Sequence, residues 1–482
     1  MIIVHYVNKY FCSSSKDLRG VGTGEGGRSM KMKWVIGLIF LTILFGGSAW
    51  AQESQKPLTL EEGVKIALER SLTLHSAMEG IVGSEFRRKE AVTNFLPPWT
   101  GQYGYTRYDS PFTLGATTIT SPGITLPTGV TIPGTTTSVP VTSRDVYNFN
   151  TTLSQPLFTG GLNLANYRLA KLGVDLSKET VETVKRDLVL QVRVGYFTIL
   201  RAEKFLAVAE QQVKQFEAQL EVTKAFFDVG IVAKNDVLQA EVRLANARQA
   251  MVTAQNNLSL AKSSFNNLLR REINTPLEVV DILAYKSFPL SYEQSLDEAL
   301  RQRPEVKTAQ LNVDQAKEGV KIARSGYFPT IGLAGNYSRS SEEFSTYGDI
   351  RSDRWTIQAL ATFTLWNWGN TAFKVGENKV KVTQAEDSKT QLIELIILEV
   401  RNDYLNMLVA EKNISVAEKA IEQAEENLRM NEERYKYQVA TQTDVLDAVT
   451  LLAQAKVNYY GALSDFNVAK AQLERSMGRM YP

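Results

Sequence analysis

An internal duplication constrains the fold of this chain more than any other feature of its sequence. Residues 190–271 recur at residues 398–479 with a constant offset of 208 positions and without a gap. The triplet Asp-Val-Leu at 236–238, for example, returns at 444–446. Chance rarely maintains one register over about 80 residues, so the sequence predicts two copies of one structural unit.

Each copy contains a heptad pattern that is typical of a coiled coil. Large apolar residues alternate mostly with alanine, at spacings of three and four, over residues 237–268 and again over 445–476. Residues in such a seam pack against a neighbouring helix, so we expect them to form core rather than a cofactor site.

The distribution of proline predicts that the helices are long. No proline occurs between Pro156 and Pro276 or between Pro329 and Pro482, and an interior proline breaks a helix. The expected long helices and their returning partners cover residues 163–227, 235–270, 370–435 and 443–477.

The N-terminal region has the pattern of an export signal. Lys31 and Lys33 precede an apolar run that ends in the small-residue cleavage pattern at 49–51. The run of about 16 residues is shorter than the roughly 20 that a transmembrane helix needs. Residues 30–51 are therefore interpreted as a signal peptide, and residues 1–29 as a non-native extension upstream of it.

Composition excludes several classes of protein. The formal net charge is only +2, so there is no basic excess to neutralise phosphates, and no nucleic-acid partner is expected. The only cysteine, Cys12, precedes the signal, and His75 is the one histidine that follows it. A histidine triad and a thiol or multi-histidine metal site are excluded in one chain. We expect no catalytic, cofactor or metal site, and His75 is interpreted as a structural helix residue.

Each copy also begins in the same way and then inserts a β-hairpin. Thr59 and Ser291 are predicted helix caps, and the first helix is expected to continue to about Asn94. Alternating polar and apolar residues then predict hairpins over about 99–157 and 330–366, each with one apolar face rich in aromatic residues. A half-buried hairpin in a soluble protein would show the same local pattern.

The two hairpins differ in the length of their connections. The first contains a stretch rich in Thr, Ser, Pro and Gly from about 109 to 144, which is expected to be a long exposed loop. The connection of the second, around 340–352, is shorter and charged.

Four strands in one chain cannot close a barrel, and an open sheet edge is not tolerated in lipid. If the hairpins span a membrane, the chain must therefore form an oligomer. Two chains would supply eight strands and three would supply twelve, and a larger barrel can leave a channel. An export signal, membrane hairpins and long helices together predict a tube that extends from an outer membrane into the periplasm.

This order of elements, present twice, resembles the TolC-like outer membrane efflux proteins. The matching motifs are Phe-Leu-Pro at 95–97, QPLFTGG at 155–161, and Tyr435 followed by TDVLDA at 443–448. The resemblance divides the chain into a first efflux-protein repeat, 52–275, and a second, 276–482.

The resemblance implies a fold that is mainly α with inserted β-hairpins. Long coiled-coil helices would form a homotrimeric α-barrel, topped by a 12-stranded transmembrane β-barrel. The chain would be the outer membrane channel of a tripartite efflux system in a Gram-negative bacterium. It would act as a passive duct coupled to a periplasmic adaptor protein and an inner-membrane transporter.

The resemblance also implies functional residues at the turns between the long helices. Tyr435, Asp444 and Asp447 would form a periplasmic gate, where six carboxylates of three chains raise one another's pKa. The simpler interpretation is that Asp444 stabilises a helix N-terminus. The adaptor would dock on both turns, at Val229, Gly230, Ile231, Val439, Ala440 and Thr441. The second turn lacks the glycine that is common in the family.

Two other functions remain open at this point. The same duct could serve type I protein secretion, because the pump determines most of the selectivity. Alternatively, the hairpins could pack on protein in a soluble periplasmic coiled-coil scaffold. An enzyme is the least favoured class, since no nucleophile and base stand out in the sequence.

Overall fold

The computed structural model describes residues 57–480 except 121–122, 127–128, 130 and 342–349. The predicted signal peptide and the extension upstream of it lie outside the described residues. The elements, in chain order, are α1 (Leu60–Arg70), α2 (Leu72–Thr93), β1 (Trp99–Thr120), β2 (Ile124–Thr125), β3 (Thr131–Ile132), β4 (Thr136–Thr159), α3 (Leu162–Asp228), α4 (Lys234–Leu268), α5 (Tyr292–Gln302), α6 (Pro304–Arg324), β5 (Thr330–Ser341), β6 (Ile350–Thr362), α7 (Asn370–Lys436) and α8 (Gln442–Ser476).

The long helices of the two copies have equal lengths and equivalent bounds. Helices α3 and α7 each contain 67 residues, and α4 and α8 each contain 35. Every bound of α3 and α4 returns 208 positions later in α7 and α8. The predicted long helices are confirmed to within about two residues at each end, as the absence of interior proline requires.

The prediction of one continuous helix up to Asn94 is wrong, because the chain bends at Ser71. Ser71 has an extended backbone, ends α1, and caps α2 by accepting a hydrogen bond from the Leu74 N–H. In the second copy Arg303 occupies this position, and Pro304 begins α6, where proline is tolerated because its missing N–H has no helical partner. The predicted caps at Thr59 and Ser291 are confirmed.

Strands β1, β4, β5 and β6 form one antiparallel sheet in that order. The register places the aromatic and other apolar side chains on one face, which we call the aromatic face: Trp99, Tyr103, Tyr105, Tyr147, Phe149, Leu153, Leu333, Tyr337, Trp355 and Ile357. The opposite face, the polar face, carries Thr100, Gln102, Asn148, Asn150, Thr152, Asn336, Ser338, Thr356 and Gln358. The predicted two-faced hairpins are confirmed. Among the described strands, β1 and β6 each have one edge without a partner.

The first hairpin extends further than predicted. Strands β1 and β4 remain paired, with two register shifts, as far as Thr120 and Thr136, and the short strands β2 and β3 pair beyond them. The prediction of a loop over 109–144 is therefore wrong, although residues 131–136 are exposed, as predicted. Backbone pairing between two strands does not need a large apolar surface, and β-branched threonine favours it.

Three apolar clusters form the core. One lies around Tyr196 and Phe265 in the first copy, one around Met407 and Phe466 in the second, and the third lies near the helix turns. The seam residues of α4 and α8 are buried or half-buried, which confirms the heptad prediction. Helix α8 packs against both α7 and α3, whereas α4 packs mainly against α3.

A cluster of ion pairs around the buried Arg303 connects the two copies. Arg303, only 4% exposed, donates hydrogen bonds to Glu305 and to Glu399 of α7, the latter at 2.6 Å. Arg475 of α8 pairs with Asp187 of α3 at 2.8 Å and with Glu305 at 3.0 Å. The cluster thereby joins a helix of the first copy to three elements of the second.

Candidate functional site

The turn between α3 and α4 ends α3 with a Schellman motif. The N–H of Gly230 donates to the carbonyl of Phe227 at 2.9 Å, and that of Ile231 donates to the carbonyl of Phe226 at 2.8 Å. Gly230 has φ +78°, a left-handed conformation that glycine adopts without strain. The flanking side chain of Val229 is 70% exposed. The first turn thus presents apolar side chains on a defined backbone.

The turn between α7 and α8 repeats this backbone without a glycine. Gln438, 208 positions after Gly230, has φ +58° and donates to the carbonyl of Tyr435 at 3.0 Å. Val439 donates to the carbonyl of Arg434 at 2.8 Å and is 66% exposed. The missing glycine therefore leaves the form of the second turn intact, although a side chain in the left-handed region is strained.

At two other duplicated positions, glycine in one copy also corresponds to a different residue in the other copy. Among the described residues, three non-glycine residues have positive φ, and each corresponds to a glycine with positive φ in the other copy. The pairs are Gly160 with Trp368, Gly230 with Gln438, and Arg270 with Gly478. At each of these positions both copies have a positive φ, but only one copy carries the glycine that adopts it without strain.

Replacing Gln438 by glycine should stabilise the protein by about 0.5–1 kcal/mol. The relieved left-handed strain of about 1–2 kcal/mol exceeds the added backbone entropy of glycine, about 0.5–1 kcal/mol. Thermal unfolding of detergent-purified protein, followed by circular dichroism, measures the change. The reciprocal variant, Gly230→Gln, has no atom within 4 Å of the added Cβ and should lose a similar amount. A lower melting temperature for Gln438→Gly would contradict this account.

Asp444 caps the N-terminus of α8. Its carboxylate accepts hydrogen bonds from the backbone N–H of Thr441 at 2.8 Å and from its hydroxyl at 2.7 Å. These bonds lower the pKa of Asp444 below its ordinary value. The simpler interpretation, helix capping, describes this contact, and within one chain the pKa shift is opposite to that expected for a carboxylate ring. Its role in a gate stays a prediction.

Asp447 forms an ion pair that the sequence did not indicate. Its Oδ1 lies 2.9 Å from Nη2 of Arg243 on α4, and both side chains are about half exposed. Nearby, the hydroxyl of Thr443 lies 3.3 Å from Oε1 of Gln239 on α4. The N-terminal parts of α4 and α8 are therefore linked side by side at this end of the molecule. No pattern in the sequence places these two helices next to each other, which is why Arg243 was missed.

Tyr435 lies inside the cluster near the turns. Its side chain is 5% exposed, and its ring centroid is 5.5 Å from that of Phe226 on α3. Burial raises the pKa of its hydroxyl. The ring thus packs between the two long helices of one chain, and its part in a gate also stays a prediction.

These features define a class: a duplicated pair of very long helices, closed by turns at one end and continuous with an amphipathic sheet at the other. The profile of the family described as "Outer membrane efflux protein" matches residues 67–269 and 295–479. The chain therefore belongs to the outer membrane efflux protein family, and the resemblance to TolC-like proteins is confirmed. It is a protein of the Gram-negative outer membrane with a periplasmic extension.

Individual relatives have low identity but long alignments. The outer membrane efflux protein BepC of Brucella suis is 21% identical over 444 residues, which are 92% of this chain and 90% of that protein. The outer membrane protein TolC of Vibrio cholerae is 24% identical over 356 residues, 69% of this chain and 80% of that protein. The crystal structure of the Campylobacter jejuni CmeC outer membrane channel has a TM-score of 0.71 at 17% identity and covers 95% of this chain and 94% of that one. Such relatives are channel proteins rather than enzymes.

No helix among the described residues combines the length and the apolar character needed to cross a bilayer.

Proposed function

We propose that this protein is the outer membrane channel of a tripartite efflux system and acts as a passive trimeric duct. The observation that carries the proposal is the four-stranded sheet with an aromatic face, a polar face and two outer strands. In lipid, the free edges of β1 and β6 must pair, and only neighbouring copies can supply the partner strands. Three copies give a closed 12-stranded barrel, with the aromatic face towards lipid and the polar face lining the channel.

The helices support the same assembly. The side of α4 that faces away from α3 exposes Val242, Val252 and Leu260, and α7 exposes Leu395, Val409 and Val416. Exposed apolar side chains repeated along a helix mark an interaction surface. Pairing of α4 with α7 of the next copy would bury both rows and close a helical tube beneath the barrel. The soluble-scaffold alternative has no comparable use for the aromatic face of the sheet.

Aromatic side chains at the junction of sheet and helices fit a membrane surface. Trp366 and Trp368 are 73% and 83% exposed, with ring centroids 5.9 Å apart, just before α7 begins. Tryptophan is enriched where hydrocarbon meets headgroups. Their exposure supports a periplasmic boundary of the outer membrane lipid near the end of β6.

The two turns then lie at the periplasmic end of the tube. The exposed Val229 and Ile231 in the first turn, and Val439 in the second, form apolar contact points for an adaptor protein. Ala440 and Thr441 complete the second contact. Tyr435, Asp444 and Asp447 form the gate beside them, and an inner-membrane transporter delivers cargo through the adaptor.

The proposal predicts a gated pore. The mature chain, extracted from membranes with detergent, should cross-link as a trimer and should produce a small, cation-preferring conductance in a planar bilayer. The exposed carboxylates at the turns attract cations to the entrance. Extraction from cells without detergent, together with absence of conductance, would contradict the proposal and favour the scaffold.

A further inference from the structure

The polar face of the sheet carries a charge that has no counterpart beside it. Strand register places Arg354 of β6 on this face, directly opposite Ser338 of β5 and in the row of Asn150 and Gln102. Throughout the regularly paired region, the other residues of the polar face are neutral. Within the described part of the chain, no ion pair involves Arg354, and its side chain is exposed. The row therefore combines neutral hydroxyl and amide groups with one guanidinium.

The other charges at this level of the sheet lie on the aromatic face and in opposite pairs. Arg107 lies across from Asp145, with Nε 3.8 Å from Oδ1. Arg339 lies across from Asp353 in the register of β5 and β6. Opposite charges in cross-strand pairs compensate each other, and Arg354 is the exception. Along β4, the alternation of side chains also assigns the next charge on the polar face, Arg144, a positive sign.

We propose that Arg354 lines the outer part of the channel and forms, in three copies, a ring that attracts anions. This inference rests on the proposed function, because only a closed barrel turns the polar face into a lumen. A guanidinium offers several N–H donors in a planar arrangement that suits carboxylate and phosphate groups. Walls of low dielectric constant focus the field of the ring into the channel. The ligand class is therefore small anions and anionic groups of the cargo.

The ring gives the two ends of the duct opposite charges. The turns carry the exposed carboxylates of Asp444 and Asp447, whereas the strand end carries Arg354. Cations are concentrated at the entrance, and anions are concentrated at the exit. The entrance carboxylates then oppose the entry of anionic cargo, and Arg354 attracts that cargo at the exit.

Reversal potentials in planar bilayers test the ring. A tenfold potassium chloride gradient with about 0.1 M salt on the concentrated side keeps the Debye length at about 10 Å or longer on both sides, so a lumenal charge is felt. The Arg354→Gln variant should raise the permeability ratio of potassium to chloride about twofold or more. At about 1 M salt, where the Debye length is near 3 Å, the difference should disappear.

A matched control removes the same charge from the other face. Arg339 lies on the adjacent strand at the same level, on the aromatic face. The Arg339→Gln variant should leave the permeability ratio unchanged, because its side chain faces away from the lumen.

Chemical modification gives a second measurement that does not depend on one variant. The chain has a single cysteine, Cys12, which precedes the predicted signal peptide. In the Arg354→Cys variant of the mature chain, a cationic methanethiosulfonate should restore the wild-type ratio, and an anionic one should raise it further.

The outcomes separate the two proposals. Wild-type conductance with ratios that are unchanged in Arg354→Gln and insensitive to both reagents would overturn the ring and leave the duct intact. Absence of conductance in the wild type would overturn the duct and the ring together. A shift of the same size in Arg339→Gln would show that the effect does not come from the lumen, and would overturn the ring.

Discussion

The Arg303→Ala variant should lose about 3 kcal/mol of unfolding free energy, the lower end of the cost of breaking a buried ion pair, because the carboxylates left behind are partly exposed. Arg303 is 4% exposed and donates to Glu305, to Glu399 and to the carbonyl of Ser476. Its removal leaves Glu305 and Glu399, whose side chains are 22% and 41% exposed, with Arg475 as their remaining cationic partner. Thermal or denaturant unfolding in detergent measures the loss.

A control lies two residues away. Arg301 is 75% exposed and pairs with Asp297 one helical turn earlier, at 3.0 Å. Exposed pairs of this kind contribute about 0.3–0.5 kcal/mol, so Arg301→Ala should be nearly neutral. Equal losses in the two variants would mean that the cluster does not behave as a buried network.

The loss caused by Arg303→Ala should depend on pH. Burial opposes ionisation of Glu305, but hydrogen bonds from Arg303 outweigh it and hold the pKa of Glu305 below its ordinary value of 4.5. A lowered pKa contributes stability above the unfolded value, and the contribution disappears as pH falls through the folded value. The difference between wild type and variant should therefore be full at neutral pH and should shrink below about pH 4.5. A difference that is constant between pH 7 and pH 3 would contradict this role of Glu305.

Breaking the pair between Arg243 and Asp447 should open the channel at its periplasmic end. Each exposed pair contributes about 0.5 kcal/mol, and the three pairs of the proposed trimer contribute about 1.5 kcal/mol, which is roughly a tenfold change in the ratio of open to closed channels. Single-channel recordings of Asp447→Ala and Arg243→Ala should show the open state about ten times more often. The pair joins α4 to α8, so its loss frees one returning helix from the other.

Arg248 supplies the matched control for this experiment. It lies on the same helix and pairs with Glu217 at 2.7 Å, but Glu217 belongs to α3, so this pair does not join the two copies. The Arg248→Ala variant should leave opening unchanged. The exchange of charges in Arg243→Asp with Asp447→Arg should restore closure. If opening increases equally in all three single variants, the general charge of the turns, and not the specific link, controls the channel.

The sequence predicted the long helices well because duplication and missing proline act over many residues. The 208-residue offset transfers every bound of α3 and α4 to α7 and α8. The periodic pattern of the sequence did not reveal the bends at Ser71 and Arg303, since one residue with an extended backbone barely disturbs such a pattern. It also missed the extension of β1 and β4 past Tyr108, because strand pairing in a threonine-rich hairpin depends on backbone hydrogen bonds that composition does not reveal.

Features of the two helix turns could be predicted from the sequence only where residues close together in the chain determine them. The capping contact of Asp444 follows from residues three positions apart, and the unusual backbone of Gln438 could have been found by comparing it with Gly230 at the repeat offset. The partner of Asp447 could not have been predicted, because Arg243 lies 204 positions earlier, on a helix whose neighbours are determined by tertiary packing. The buried position of Tyr435 depends on the same packing.

The position of α8 between α7 and α3 has a consequence for how such a chain arose. In a half-length ancestor, the contact that α8 makes with α3 would have joined two separate molecules, and a tube equivalent to the proposed trimer would have needed six of them. Fusion of two halves makes that contact intramolecular, with an effective concentration in the millimolar range or above. Assembly of the proposed trimer then requires three molecules instead of six, and the two halves are free to diverge. Charged residues present in only one half, such as Arg303 where the first half has Ser71, could arise only after the two halves were free to differ.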